Sequence, residues 1–357
     1  RLAERGNNTQ YSAVDQPLRI IHSVAPVRLC DNGGWTDTWF AEYGTIFNIG
    51  VSPFVEVQLQ VYPGESPRPR VTLHAENYNV SYAPDEDARE WGSHPLLEAV
   101  VRRMGIPDDV RVVLNIYSDV PAGAATGTSA SVSVAMIGAL DALTPGRLGP
   151  HDVARLAQSI ETDMLKQQCG IQDQLCAAFG GINLIEMHCY PEATVTPVKV
   201  SDMIWWELER RLLLVYLGKS HVSSDMHESV IRELEHQGPE APGLVALRQT
   251  AVPSRDALLA GDFCALGAAM IQNTEAQRRL HAELICDDAD RVIALARAHG
   301  AVGWKVNGAG GDGGSLTILC GEYAPSKRAL TRALSDADSR IVSIPVRLSR
   351  HGLRVWG

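Results

Sequence analysis

The sequence predicts an α+β fold in two domains, and three observations carry that prediction. Strand-like and long helical stretches alternate without the regular period of a TIM barrel. The chain has 357 residues, a length suited to two domains, with no internal repeat or low-complexity tail. A loop-rich crossing over 188–202 suggests a boundary near 195–207 between segments 18–200 and 201–357, behind a polar lead-in at 1–17. The closing strand, expected at 341–348, can pack back across that boundary.

Composition narrows the functions. Hydrophobic residues make up 45% and charged residues 21%, enough for full cores. A net charge of −10 argues against nucleic acid or an anionic membrane as the main partner. No apolar run approaches the roughly 20 residues that span a bilayer. Residues 1–16 are polar and unlike a signal peptide, so the expected location is the cytoplasm. The seven cysteines are scattered, without a Cys-x-x-Cys pair or zinc spacing, and read as reduced thiols.

Taken in order, residues 18–25 carry Ile20, Ile21 and Val24 and read as a strand. Pro26 leads through 27–31 into Asn32-Gly33-Gly34-Trp35-Thr36-Asp37-Thr38. That Gly-Gly bend crowds Arg28, Asp31, Trp35, Thr36 and Asp37 together, and Glu42 continues the polar side. Loops dense in directional polar groups are where ligands are read, although a turn-stabilising ion pair would use the same residues. Strands are expected at 45–51, 54–61 and 71–74; in the second, Val55, Val57, Leu59 and Val61 alternate with Glu56, Gln58 and Gln60. A Pro/Gly turn falls at 63–69 and an acidic loop at 81–92. Leu96, Leu97, Val100, Val101 and Met104 recur at helical spacing over 94–104.

Strand 110–117 then feeds a small-residue loop, Pro121-Ala122-Gly123-Ala124-Ala125-Thr126-Gly127-Thr128-Ser129-Ala130-Ser131, ahead of helix 132–143. Gly123 and Gly127 admit close backbone approach, and Thr128, Ser129 and Ser131 can cap the helix or turn a hydroxyl outward. Open N–H groups at such a terminus favour a phosphate; a capped turn in a βα unit is the alternative. No Gly-Lys-[Ser/Thr] follows, so this is not a Walker A loop.

A helix is expected at 153–166, then a wet segment, Gln172-Asp173-Gln174 just after Gly170, near a helix start that ends at Gly180-Gly181. Strand 182–187 and a loop over 188–202 follow. The second half reads as strand 212–217, loop 218–224, helices 227–237, 244–259, 263–280 and 286–299, and strand 303–306. Asn307 to Gly314 holds five glycines within 308–314, ahead of strand 315–320 and helix 325–335. Such density costs backbone entropy and points to a close loop–ligand or loop–loop contact rather than a linker.

Together, the Ala25-Pro26-Val27-Arg28 and Gly33 to Thr38 bend, the Pro121 to Ser131 loop and the Asn307 to Gly314 run resemble the three signature motifs of the GHMP small-molecule kinases. The Gly-Gly-Trp-Thr-Asp-Thr form and Gly170-Ile171-Gln172-Asp173-Gln174 are most similar to the sugar-kinase branch of heptose 7-phosphate kinase and fucokinase. The resemblance covers about residues 18–350. It implies an N-terminal domain like ribosomal protein S5 domain 2, a ferredoxin-like C-terminal domain, and a cleft between them for ATP and substrate.

Residue by residue, it implies catalytic roles for Asp173 and Arg28, and Mg²⁺ ligands in Ser129 and Glu161. It implies an ATP-binding set of Pro121, Gly123, Ala125, Gly127, Thr128, Ser129, Ala130 and Ser131, joined by Gly310 and Gly311. Asp37, Thr36, Trp35, Gly34, Glu42 and Gln172 are the expected sugar contacts. His221, Ser223 and Ser224, with Lys219, Arg278 and Arg279, are the candidates to hold a phosphate already on the acceptor. The expected partners are ATP and a small sugar or sugar phosphate, with a homodimer left open. Ala125-Thr126-Gly127-Thr128 replaces the commoner Gly-Leu-Gly-Ser, and Asp312 interrupts the third motif.

Phosphoryl transfer needs positioning and charge neutralisation more than covalent chemistry, which suits this set. The expected reaction moves the γ-phosphate of ATP to a sugar hydroxyl, foremost the anomeric hydroxyl of a heptose 7-phosphate-like sugar bound for nucleotide-sugar assembly. A free sugar such as fucose or galactose, or a larger secondary-metabolite sugar, is the alternative. The polar Trp35, Thr36, Asp37 loop favours a polyol over an isoprenoid. A non-catalytic sugar sensor would be expected to lack Asp173, Arg28 or Ser129, and all three are present.

Overall fold

A computed structural model describes residues 16–85, 87–144, 147–220 and 225–357, with the backbone alone at 225 and 226. The first half contains strands β1 (Arg19–Asn32), β2 (Gly44–Pro63), β3 (Val71–Ala75), β4 (Val80–Tyr82) and β5 (Val110–Ser118). Helix α1 (Pro95–Met104) precedes β5, and α2 (Thr128–Asp141), α3 (Pro150–Ser159) and α4 (Gln172–Phe179) follow it. A hairpin of β6 (Ile182–Cys189) and β7 (Glu192–Pro197) leads to α5 (Asp202–Arg211) and β8 (Leu212–Tyr216). Helices α6 (Asp225–Gln237), α7 (Pro242–Leu259), α8 (Phe263–Leu280) and α9 (Asp287–Ala298) come next. The chain closes through β9 (Gly303–Val306), β10 (Ser315–Leu319), α10 (Ala324–Ala337), β11 (Val342–Ile344), β12 (Arg347–Leu348) and β13 (Arg354–Trp356).

Two sheets organise these elements. The larger has nine strands, with β13-β1-β2-β5-β3-β4 in order and β12, β6 and β7 reached through β2. Every pairing in it is antiparallel except β3 with β5. The smaller sheet runs β11-β8-β10-β9, all antiparallel. This is the α+β class expected.

The strands expected at 45–51 and 54–61 are one strand of 20 residues. Proline lacks the N–H a ladder needs, so a break there was the natural expectation. Instead the register of β1 on β2 jumps between Pro26 and Val27, whose partners are Phe54 and Val51, and the irregularity absorbs both Pro26 and Pro53. β2 then serves two neighbours, β6 along its first half and β5 along its second. The expected strand 341–348 does break, at Pro345: Val342–Ile344 joins the small sheet and Arg347–Leu348 pairs with β2.

Two further departures shape the site. The helix expected over 153–166 ends as α-helix at Ser159 and continues as a π-helical turn, Ile160–Met164. The region read as a loop, 188–202, holds strand β7, and helix α5 starts at its end and runs past the expected boundary; Ser201 caps it by accepting from the Ile204 N–H at 3.4 Å, and Trp205 and Leu208 are on its buried face.

Packing joins the halves. Ile21, Val57, Leu59, Leu73 and Leu114 of the large sheet bury against Met136 and Ile137 of α2 and Val100 of α1. Val215, Leu316 and Ile318 of the small sheet bury against Val292 of α9 and Leu330 of α10. A further cluster belongs to both sheets, with Leu29, Phe47 and Ile49 touching the group that holds Leu208, Leu214, Leu258 and Met270. Among the described residues, no helix is long and apolar enough to cross a membrane.

Because that shared cluster spans the two sheets, Leu214→Ala is expected to weaken both together. A loss of about 2–5 kcal/mol, in a single urea transition, is the expected outcome for a buried Leu-to-Ala cavity. Separate transitions for the two sheets would contradict a common core.

Candidate active site

A cavity of about 770 Å³ opens between the 32–40 bend, the start of α2, the 160–174 segment, the N-terminal turns of α6 and Gly308-Ala309. Its floor is a charge cluster. Arg28 is buried; its Nε donates to Asp173 Oδ1 at 2.8 Å, Nη2 to Asp173 Oδ2 at 3.3 Å, and Nη1 to the Ala125 carbonyl. Burial opposes the guanidinium charge, but Asp173 and Asp31 more than offset it and hold the group above its ordinary pKa. Arg28 also holds the 121–131 loop through its backbone, its N–H donating to the Thr126 carbonyl at 2.9 Å.

Behind Arg28 lies a wholly buried pair. Lys305 Nζ is 3.2 Å from Asp31 Oδ1, and both side chains are 0% exposed. Lys305 also donates to Gln277 Oε1 at 3.0 Å and to the Val306 carbonyl, while Asp31 accepts the Gly308 N–H at 3.1–3.2 Å. Burial, followed by Asp31 in the opposite direction, leaves the Lys305 amine below its ordinary pKa. Sequence reading singled out Asp31 but missed Lys305. A lysine at the end of an apolar strand, Gly303–Val306, was the available signal.

Asp173 stands in the first turn of α4, and Asp37 braces that turn. Asp37 Oδ2 accepts the N–H groups of Ile171 at 2.9 Å and Gln172 at 3.0 Å. Gly170 is required there, because a Cβ would lie 1.9 Å from that oxygen. Burial pushes the Asp37 carboxyl up to about 6, against those two N–H groups. Glu161, in the π-turn, accepts from Gln174 Nε2 at 2.9 Å, and burial pushes its carboxyl up to about 7.

The 121–131 loop arches over this floor. α2 begins at Thr128 with Gly127 as its N-cap at φ +73°, and no side chain caps it. The helix terminus is thus left without a side-chain acceptor, as anion binding requires. Ser129 and Ala130 line the cavity; Pro121, Gly123, Ala125, Gly127 and Thr128 form the arch without lining it. Thr128 Oγ1 is 3.2 Å from Thr126 Oγ1. Ala125 keeps φ +56°, a conformation that favours glycine.

Several expected site residues are placed elsewhere. Ser131 is buried, its hydroxyl donating to the Pro26 carbonyl at 2.7 Å with the Gly127 carbonyl at 3.1 Å, so it ties the loop to β1 instead of facing a phosphate. Gly310 and Gly311 are buried against the 282–285 turn: a Cβ on Gly310 would meet the Leu284 carbonyl at 2.3 Å, and the Gly311 N–H donates to it at 2.8 Å. Gly308 and Ala309 reach the cavity in their place. Glu42 is exposed and off the cavity, at φ +60°, with its carbonyl holding the Tyr190 N–H at 2.8 Å. Thr36 is buried and donates to the Gly33 carbonyl at 2.7 Å, and Gly34 packs close to Asp31, where a Cβ would come within 2.8 Å of Oδ2.

Trp35 and Gln172 do line the cavity. The Trp35 indole donates to the Ala309 carbonyl at 3.3 Å and stacks on His227 at 6.2 Å. The expected cations turn away. Lys219 pairs with Asp312 at 3.2 Å, which also accounts for Asp312: its carboxylate is exposed and points out of the glycine run. Arg278 pairs with Asp290 at 2.6 Å, and Arg279 is exposed. His221, Ser223 and Ser224 lie outside the described residues.

The chain is similar in sequence and in fold to known kinases. Residues 94–181, which include the 121–131 loop and Asp173, match the family described as GHMP kinases N terminal domain. The chain is 28% identical over 305 residues to D-glycero-alpha-D-manno-heptose 7-phosphate kinase of Campylobacter jejuni, covering 83% of this chain and 88% of that one. It is 26% identical over 364 residues to the bifunctional fucokinase/GDP-fucose pyrophosphorylase of Arabidopsis thaliana, matching 94% of its own length and 34% of that larger protein. In fold it is similar to a structure titled a D-glycero-D-manno-heptose 1-phosphate kinase from Bacteriodes thetaiotaomicron, at TM-score 0.73 and 24% identity over 94% of this chain and 99% of the other. It is similar also to Lactococcus lactis galactokinase complexed with galactose, at TM-score 0.72 and 15% identity over 95% of this chain and 96% of that one.

Two outcomes follow from the charges. Lys305→Met leaves Asp31 buried without its partner and is expected to lose about 3–5 kcal/mol in denaturant titration, most of it regained in Lys305→Met/Asp31→Asn. For Asp37, a carboxyl raised to about 6 in the fold gives stability that is full below the ordinary carboxylate range and declines as pH rises toward 6. Asp37→Asn should remove that part of the decline when unfolding is followed from pH 4 to 7. An unaltered slope would show that Asp37 is ionised in the fold throughout.

Proposed function

The chain belongs to the GHMP kinase family, and on that premise we propose that it transfers the γ-phosphate of ATP to a sugar hydroxyl, foremost the anomeric hydroxyl of a heptose 7-phosphate-like sugar. The single observation that supports this most is the Arg28–Asp173 pair on the floor of a polar cavity, beside the uncapped start of α2. In this reading the α2 N-terminus and the arch from Pro121 to Thr128 cradle the triphosphate. Arg28 offsets charge that builds on the transferring group. Asp173 accepts the proton of the attacking hydroxyl, or orients it.

Ser129 and Glu161 are the residues that would hold Mg²⁺. The donor set fits: both line one cavity, and Gln174 Oε1, beside Glu161, is buried without a partner. Among the described residues no group of three or more acidic, His or Cys side chains could hold a metal, which is compatible with Mg²⁺ carried chiefly by nucleotide and water oxygens. When bound, the ion would neutralise phosphate charge. Asp37 holds the α4 start that presents Asp173 and stands on the cavity wall for a sugar hydroxyl. Trp35, held by Ala309 and His227, supplies a rigid side of the sugar pocket. The product would be a sugar 1-phosphate, the form from which nucleotide sugars are made.

The test is ADP release across heptoses, hexoses and their phosphates, with and without Mg²⁺. Asp173→Asn is expected to lower turnover by roughly 10²–10⁴ while calorimetry still records ATP binding. Near-normal turnover in that variant would sink the role given to Asp173, and no ADP release by the unaltered protein with any of these acceptors would sink the sugar-kinase reading.

A further inference from the structure

We propose that Lys166 recognises a second anionic group on the acceptor, a phosphate at the end of the sugar remote from the reacting hydroxyl. This rests on the kinase reading above and deepens it, since it selects a sugar phosphate over a free sugar. Among the described residues the cavity wall carries five carboxylates, Asp31, Asp37, Glu161, Asp173 and Glu228, against two cations, Arg28 and Lys166. A phosphorylated sugar adds about two negative charges to that acidic space and needs a cation of its own. Burial keeps the His227 imidazole below its ordinary pKa, and Arg28 is held by Asp173 and the Ala125 carbonyl. Lys219 and Arg278 are paired outside the cavity. Lys166 makes no hydrogen bond or ion pair with any described residue.

The backbone fixes where that ammonium starts. Lys166 follows the π-turn at φ +56°, where an L side chain is strained and a glycine would not be. Hydrogen bonds on either side hold the conformation: Leu165 N–H to the Ile160 carbonyl at 3.1 Å, and Gln167 N–H to the Glu161 carbonyl at 2.9 Å. What lysine adds at a glycine-like position is a long, mobile charge at the cavity, next to the Gln167 and Gln168 amides that also line it. The residue belongs to the segment joining Glu161 to Asp173, so the same stretch of chain would carry a metal ligand, the acceptor's anion site and the base.

The experiment compares Lys166→Gly and Lys166→Arg with the unaltered enzyme, using D-glycero-D-manno-heptose 7-phosphate and unphosphorylated D-glycero-D-manno-heptose as probes of ADP release. In Lys166→Gly the ratio of kcat/KM for the phosphorylated over the unphosphorylated sugar should fall at least about tenfold, the loss expected of one charge-assisted hydrogen bond. That fall should appear in KM for the sugar phosphate, with KM for ATP at its original value and Lys166→Arg restoring most of the ratio. An unmoved ratio, or a raised KM for ATP, overturns the assignment and leaves the kinase reading standing. Failure of the unaltered enzyme on every sugar and sugar phosphate takes down both.

Discussion

The contact between Asp31 and Lys305 is the constraint on which the rest of the site depends. Two charges out of water are tolerated only where every remaining donor and acceptor is met. Lys305 meets that condition with Asp31, Gln277 and the Val306 carbonyl, and Asp31 with Lys305 and the Gly308 N–H. Asp31 closes β1 in the large sheet, and Lys305 lies in β9 of the small one. The pair therefore sets the register of the third loop on the first, and Arg28, 3.9 Å from Asp31, inherits its position from it. A buried pair of this kind contributes little net stability, since its desolvation offsets most of the attraction. What it contributes is a unique arrangement of the loops.

Backbone proximity completes what the charges begin. Gly308 sits where a Cβ would come 3.2 Å from the Ala125 carbonyl and 3.4 Å from Arg28 Nη2, so all three loops meet at one point. Gly313 would bring a Cβ to 2.6 Å from the Lys219 carbonyl, and Ser220 donates to the Ala122 carbonyl at 2.9 Å. The glycine run is thus mainly a loop–loop contact that clamps the 121–131 loop from behind. That explains how Gly310, where a Cβ would meet the Leu284 carbonyl, can shape the site without lining its cavity.

Much of this was legible in the sequence because the decisive features were local. Glycine spacing, the Arg28 to Asp37 crowding and the Gln172-Asp173-Gln174 turn each announce themselves within ten residues, and the structure brings them together. The misses came from interactions between distant segments. Whether Ser131 faces a ligand or the Pro26 carbonyl is decided by β1, 105 residues away. Whether Lys219 serves an acceptor depends on Asp312, 93 residues on. The π-turn at Ile160–Met164 is invisible to a 3.6-residue pattern because its apolar positions fit an α-helix equally well. Proline at 26 and 53 read as strand ends, since nothing local shows that one register shift between two strands accommodates both.

The carboxylates of the cavity show why such a site is built on a rigid floor. Burial pushes Asp37 up to about 6 and Glu161 up to about 7, working against their charged forms. Both are nonetheless held in place by donors that prefer the charged form, Ile171 and Gln172 for one and Gln174 for the other. The fold accepts that tension because Gly170 leaves room for Asp37 and because the π-turn and α4 pin Glu161 and Gln174 together. A ligand that donates hydrogen bonds or carries positive charge relieves it, and in doing so displaces protons from the pair. Preorganisation here means that both carboxylates are already held in position by their donors before anything binds.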